Sequence, residues 1–237
     1  NNFRRIVSEL PSLVYYRSEG GLVVNLFTAS SAKFTLDGGV ALAARQETDY
    51  PNSGRVVLHV DPSRPAQFPL SLRIPRWCAS VKVTIGGRPV EQDVKRGQFL
   101  AVRREWKPGD RVEIEMPMGW RLVRGRQAQA GRVAVLRGPL VFCLNRARQK
   151  NLAAVDLRLL TLDPSSLEGP VSDDAVRPGG LACKVRAWGP GTWYPHAKPD
   201  RQLVLSEFAD PAGELVYFHV PNPHAAEAVA DELIAND

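Results

Sequence analysis

The sequence predicts an all-β protein made of two consecutive antiparallel β-sandwich domains of jelly-roll-like build. Nineteen Gly and nineteen Pro are spread along the whole chain, which suits many short strands joined by turns. Apolar and polar residues alternate in many short segments, as they do in half-buried strands. Turn-forming sequences separate these segments at the spacing typical of a sandwich.

The first sandwich is predicted over residues 19–124. Its clearest strand places Leu70, Leu72 and Ile74 on one face and Ser71 and Arg73 on the other. The same alternation predicts strands at 22–26, 40–44, 56–60, 81–85 and 112–116. Turn signals lie between them at 37–39, 51–54, 86–87 and 108–110.

The second sandwich is predicted over residues 125–222, because the chain turns polar at 125–131 before a new set of strands begins. Residues 145–182 are poorly patterned and contain Pro164, Pro170 and Pro178, so we expect loops there. The strands predicted for this domain lie at 132–136, 140–144, 184–188, 202–205 and 215–220.

Short helices are expected at both ends of the chain. Residues 1–18 form a connector in which 3–10 have amphipathic helical spacing, with Asn2 as a cap and Pro11 as a stop. Residues 223–237 form a C-terminal tail with a helix through Ile234, begun by Asn222 and Pro223. The chain begins without Met, so we expect the natural N-terminus to lie elsewhere, and no apolar run is long enough to span a membrane.

Several segments together resemble glycoside hydrolase family 127, the β-L-arabinofuranosidase-like proteins. The similarity covers roughly residues 3–221 and departs from the family at Asn52, where Trp is common. The matching segments are Leu-Val-Val-Asn-Leu at 22–26, Gln-Glu-Thr-Asp-Tyr-Pro at 46–51, Leu-Arg-Ile-Pro-Arg-Trp-Cys at 72–78 and Leu-Arg-Gly-Pro-Leu-Val-Phe-Cys-Leu at 136–144.

The resemblance implies an (α/α)6 catalytic barrel followed by two β-sandwiches. The opening helix would then be the end of that barrel, and the nucleophilic cysteine, the acid/base glutamate and the zinc ligands of the family would all lie before Asn1. We therefore expect no catalytic residue, metal site or cofactor in this chain. Any zinc ion would be bound by the missing catalytic domain. The expected function is a non-catalytic accessory region whose partner is the missing N-terminal barrel.

Few residues of this sequence are arranged as a catalytic or metal-binding site would require. Glu47 and Asp49 alternate on one predicted strand at a spacing that two glycosidase carboxylates tolerate, but Asp49 beside the Tyr50-Pro51 turn fits a structural role better. No two of the four histidines are spaced as metal ligands usually are, and His59 and His219 fit partly exposed strand positions.

The three cysteines and the basic stretch both fit structural interpretations. Cys78, Cys143 and Cys183 are far apart, so we expect reduced, buried thiols, which favour a cytoplasmic location. The formal charge is +6 and no acid lies between Glu115 and Asp156, but apolar runs interrupt the arginines there. We expect strands flanked by solvated arginines and no nucleic-acid partner.

One segment is a candidate carbohydrate-binding site. The Gly/Pro loop at 188–196 carries Trp188, Trp193, Tyr194 and His196, and exposed aromatic rings can stack on a sugar. The competing interpretation is that Trp188 points inward and Trp193 fills the edge of the sandwich, since large aromatics are usually mostly buried. The alternative functions are therefore an independent carbohydrate-binding module and a structural or oligomerisation domain.

Overall fold

The computed structural model describes residues 2–18, 20–149, 152–225 and 228–229. The chain divides into two compact units, Asn1–Met118 and Gly119–Asp237. Across the described residues, every helix falls short of the length and apolar character that crossing a bilayer requires.

The chain opens with one short helix, as predicted. Helix α1 spans Asn2–Glu9, and a 3₁₀ turn over Leu10–Leu13 follows it with Pro11 near its start. The guanidinium of Arg5 contacts the carboxylate of Glu9 one turn later, at 3.1 Å. An eight-residue helix is too short to be stable in water by itself, so α1 depends on what its apolar face packs against.

The first unit is a pair of sheets. One has four strands in the order β1-β2-β6-β9 and the other six in the order β3-β4-β5-β10-β7-β8. Only β2 and β6 pair in parallel among the described strands of this unit. The strands are β1 (Tyr15–Ser18), β2 (Gly21–Val24), β3 (Ser30–Thr35), β4 (Ala41–Thr48), β5 (Arg55–Pro62), β6 (Ala66–Arg73), β7 (Lys82–Ile85), β8 (Arg88–Pro89), β9 (Phe99–Trp106) and β10 (Asp110–Glu115).

The alternation seen in the sequence builds the core of the first unit. Val56 and Leu58 of β5 lie opposite Ile114 and Val112 of β10, and all four are at most 1% exposed. Burying one such side chain stabilises the fold by about 1.5–3 kcal/mol. Both sheets contribute to a single hydrophobic cluster, which is what defines a sandwich.

Trp106 anchors the four-stranded sheet within this core. Its side chain is fully buried, its ring stacks on Phe68 with centroids 5.9 Å apart, and its indole N–H donates to the Phe68 carbonyl at 3.1 Å. The polar end of the indole is thereby satisfied without contact with water.

The described residues of the second unit form eight strands that belong to one hydrogen-bonded sheet, in the order β14-β15-β16-β13-β12-β11-β18, with β17 also paired to β12. These strands share one hydrophobic cluster. They are β11 (Trp120–Arg124), β12 (Val133–Arg137), β13 (Leu140–Cys143), β14 (Thr161–Ser172), β15 (Leu181–Trp188), β16 (Arg201–Glu207), β17 (Tyr217–Phe218) and β18 (Ala228–Val229).

This sheet closes on itself. Just past β17, His219 bridges to Thr161 at the start of β14, and the backbone N–H of Leu162 donates to the His219 carbonyl at 2.8 Å. Because β17 also pairs with β12, the short segment 217–219 connects β12 with the start of β14. The eight strands therefore wrap around a common core.

Three details differ from the sequence-based expectations. Strand β11 pairs with β12, so residues 119–124 fall in the second unit. Residues 161–172, expected to be loop, form the 12-residue strand β14. The prediction of a helix through Ile234 is wrong at Ala228–Val229, because these residues form β18, which pairs in parallel with β11. The rest of that predicted helix and tail at 226–227 and 230–237 lies outside the described residues.

Candidate functional site

The loop between β15 and β16 is firmly braced from both ends. The Gly189 N–H donates to the Asp200 carboxylate at 2.8 Å, and the Asp200 N–H donates to the Ala187 carbonyl at 3.1 Å. Two turns shape the intervening chain, closed by Thr192 N–H to Gly189 and by Ala197 N–H to Tyr194. Four backbone-mediated hydrogen bonds therefore tie the two ends and the two turns of the loop.

The four predicted carbohydrate-binding residues fall into two groups. Trp188 is 7% exposed and its indole N–H donates to the Ala197 carbonyl at 3.1 Å, so its ring is part of the bracing and is not available to stack. Trp193 and Tyr194 are 43% and 62% exposed, and His196 is also exposed.

The exposed group consists of two aromatic rings and an imidazole. Tyr194 and Trp193 are adjacent aromatic side chains, each with an apolar ring and one polar atom that can bond a hydroxyl. His196 has a φ of 70°, a left-handed conformation that non-glycine residues seldom adopt, and it lies in the second turn of the loop. Together the three side chains offer apolar faces and hydrogen-bonding groups to solvent.

A second exposed surface lies at the start of the first unit. Four large apolar side chains of α1 and the following 3₁₀ turn are solvent-exposed: Ile6 58%, Val7 46%, Leu10 45% and Leu13 37%. Beside them is a groove of about 530 Å³ whose other wall includes Phe27, Tyr50 and Pro75. A contiguous apolar surface of this kind is typical of an interaction site.

The candidate carboxylates have structural contacts. Glu47 bonds Arg45 and lies 3.1 Å from the imidazole of His59, and these two neighbours keep the pKa of Glu47 below its usual value. Asp49 accepts a hydrogen bond from the Ser53 hydroxyl within the turn. Each carboxylate is therefore occupied by its neighbours in the same strand pair or turn.

The thiols and histidines occupy the positions that the sequence favoured. Cys78, Cys143 and Cys183 are free and at most 2% exposed. Both His59 and His219 are half-buried strand or bridge residues. Within the described ranges, no three His, Cys, Asp or Glu side chains are arranged to hold a metal ion.

The basic stretch is also divided between core and ion pairs. Residues 133–135 are buried in β12, as predicted, and the arginines beyond β13 have acidic partners. Arg146 contacts Glu214 at 3.3 Å, and Arg148 makes two 2.7 Å bonds to Asp173. These arginines are therefore engaged in holding loops of the second unit together.

Comparison with known proteins identifies the class. Residues 21–118 match the family model described as β-L-arabinofuranosidase, GH127 middle domain. The non-reducing end β-L-arabinofuranosidase of Bifidobacterium longum subsp. longum is 33% identical over a 156-residue alignment, which covers 60% of this chain and 22% of that protein.

Solved structures of the same family extend the likeness to both units. A GH127 β-L-arabinofuranosidase from Geobacillus stearothermophilus T6 matches 92% of this chain and 36% of its own, with a TM-score of 0.79 and 28% identity. A GH127 β-arabinofuranosidase matches 97% of this chain and 39% of its own, with a TM-score of 0.78 and 25% identity.

The chain therefore has the all-β fold of a region found in solved GH127 structures. Residues 21–118 match the GH127 middle domain, and the chain as a whole is similar to a region of solved GH127 β-arabinofuranosidases. It spans about a fifth of the length of the curated relative and 36–39% of the two solved chains. The resemblance predicted from segments 22–26, 46–51, 72–78 and 136–144 is confirmed.

Proposed function

We propose that this region is the non-catalytic accessory part of a longer glycoside hydrolase, in which it supports a helical catalytic barrel. The observation that carries the proposal is the exposed apolar side of α1 and its 3₁₀ turn. Four large apolar side chains within residues 6–13 are between 37% and 58% exposed. Covering them would remove an unfavourable apolar surface from water, and a neighbouring domain of the same protein is the partner proposed.

The chain alone is expected to be inactive. The test is release of L-arabinose from p-nitrophenyl β-L-arabinofuranoside by the purified 237-residue chain, with and without added zinc. Activity that persists after removal of contaminating enzymes would overturn the non-catalytic assignment.

The supporting role is tested in the longer parent enzyme. Leu10→Glu places a charge on the exposed apolar side formed by α1 and its 3₁₀ turn, and Ser8→Glu places the same charge on an exposed polar residue of α1. We expect Leu10→Glu to lower the melting temperature and activity of the parent, because it buries a charge, and Ser8→Glu to leave both nearly unchanged. Equal effects of the two substitutions would contradict docking through this side.

A second candidate function, glycan binding by the 189–200 loop, is favoured by the exposure of Trp193 and Tyr194. The test is calorimetric titration of the chain with an L-arabinose-containing oligosaccharide. Trp193→Ala should abolish binding, because stacking on the indole is lost, and Phe208→Ala should retain it, because Phe208 is an exposed aromatic outside the loop. Binding that Trp193→Ala leaves intact would exclude this site.

The remaining alternative is oligomerisation, and a monomer by light scattering at high concentration would count against it.

A further inference from the structure

The outward face of the six-stranded sheet contains a depression of about 420 Å³. Strand register explains how it is built, because residues that pair across strands share a face. One row across β3, β4 and β5 consists of Ser31, Arg45 and His59, and the next consists of Lys33, Ala43 and Asp61. All six residues line the depression.

Ala43 creates the space. It is the central residue of its row and ends in a methyl group, whereas Lys33 and Asp61 on either side have longer side chains. Two strand spacings separate these flanking residues, roughly 10 Å. The result is a cup with a small apolar floor, an ammonium on one side and a carboxylate on the other.

The polar groups at the rim retain free bonding capacity. Asp61 accepts the Gly109 N–H with Oδ1 at 3.0 Å, and within the described residues its Oδ2 accepts no hydrogen bond. Lys33 likewise has no ion-pair partner among the described side chains. Arg45 is oriented by its bond to Glu47, which also lies beside His59.

This combination selects a class of ligand. Lys33 and Arg45 only donate hydrogen bonds and Asp61 only accepts them, so a group that both donates and accepts matches the cup. An anion would meet the Asp61 carboxylate, and an apolar ligand would remove Lys33 and Asp61 from water without replacing their hydrogen bonds. Neighbouring hydroxyl groups on a neutral ring satisfy both sides at once.

We propose that this cup is a binding site for a neutral saccharide, one or two rings in size, held through adjacent hydroxyls by Lys33, Arg45 and Asp61. The site consists of first-unit residues alone, and it is additional to the accessory role proposed above. The floor is a methyl group and, among the described residues, no Phe, Tyr or Trp lines the cup, so affinity comes mainly from hydrogen bonds and is weak, roughly millimolar.

The test is a two-dimensional ¹H–¹⁵N NMR titration of the 237-residue chain with methyl β-L-arabinofuranoside. Saturable shifts should concentrate on Ser31, Lys33, Ala43, Arg45 and Asp61. Ala43→Leu fills the cup and should weaken binding roughly tenfold or more. The matched control is Ala41→Leu, an exposed position on the same face of β4 outside the cup, which should bind like the unsubstituted chain.

Three outcomes would overturn the proposal. These are no saturable shifts on the named residues, equal binding by the Ala43→Leu variant whose spectrum shows a folded chain, or shifts caused by inorganic phosphate but not by the sugar. The last outcome would assign the cup to an anion. None of them bears on the accessory role, whose test depends on α1 of the parent enzyme.

Discussion

The guanidinium of Arg177 donates two hydrogen bonds, both 2.7 Å long, to the buried carboxylate of Glu207. The Glu207 side chain is 4% exposed, and its Oε1 also accepts the N–H of Leu181 at 2.8 Å. Since Glu207 ends β16 and Leu181 begins β15, this one carboxylate joins two neighbouring strands to the loop that carries Arg177.

Removing the guanidinium should therefore destabilise the second unit. Arg177→Met leaves the Glu207 carboxylate buried without its cation, which costs roughly 3 kcal/mol. Urea unfolding followed by circular dichroism measures the loss. Arg158→Met is the control, because Arg158 pairs with Asp156 on the surface and its side chain is 74% exposed, so no measurable change is expected. Equal losses in the two variants would show that the burial of Glu207 is irrelevant.

The Arg148–Asp173 pair predicts a loss of stability in acid. Hydrogen bonds from Arg148 lower the pKa of Asp173 below its ordinary value of 3.8. The stabilisation is therefore complete above the unfolded pKa and is lost as pH falls through the lower folded pKa. Urea unfolding of the chain and of Asp173→Asn at pH 7 and at pH 2–3 should show a stability difference at neutral pH that shrinks in acid. A difference that is constant with pH would contradict this linkage.

The three thiols should be unreactive in the folded chain. Burial raises the pKa of Cys78 and Cys143 and raises that of Cys183 to about 12, so little thiolate forms at pH 8. A thiol reagent such as Ellman's should detect three thiols only after unfolding in guanidinium. Ser8→Cys, at an exposed helix position, should react at once and serves as the positive control. Rapid labelling of the unsubstituted native chain would refute the prediction.

Gly54 should be intolerant of any side chain. A Cβ there would lie 1.8 Å from the Met116 carbonyl oxygen. The two residues are also held together by a hydrogen bond of 2.9 Å from the backbone N–H of Met116 to the Gly54 carbonyl. Gly54→Ala must therefore move backbone, and overpacking of this kind costs about 1–3 kcal/mol. At Gly119 an added Cβ meets nothing within 4 Å, so Gly119→Ala should be nearly neutral in the same thermal unfolding experiment. Comparable melting temperatures for the two variants would contradict the steric argument.

Periodicity predicts strands well where both neighbours of the strand are regular. Leu70 and Leu72 alternate with polar residues and lie in β6, as expected. Strand β14 was missed because its pairing with β15 shifts register twice, between Asp163 and Glu168 and again before Val171. Such bulges break the two-residue repeat, and Pro164 and Pro170 then favour a loop interpretation.

The candidate loop shows the same limit at the level of single residues. The sequence places Trp188 and Trp193 in one aromatic segment, but their roles depend on hydrogen bonds to Ala197 and Asp200, which lie beyond that segment. The cup on the first unit was not predicted at all. It depends on the register that sets Ala43 between Lys33 and Asp61, and this register arises from pairing between strands that are distant in sequence.

The closure of the second sheet at His219 limits how far the chain can be shortened from its C-terminal side. Residues 217 and 218 pair with β12, and residue 219 bridges to Thr161 at the start of β14, so this segment connects the two strands. A version cut after residue 216 would lose the contacts of Thr161 and Leu162 with His219, and it would also lose β17 and β18, which pair with β12 and β11. Backbone groups would then be left unpaired on β11, β12 and β14. Such open edges invite pairing with other molecules, so the shortened protein would be expected to form aggregates during expression.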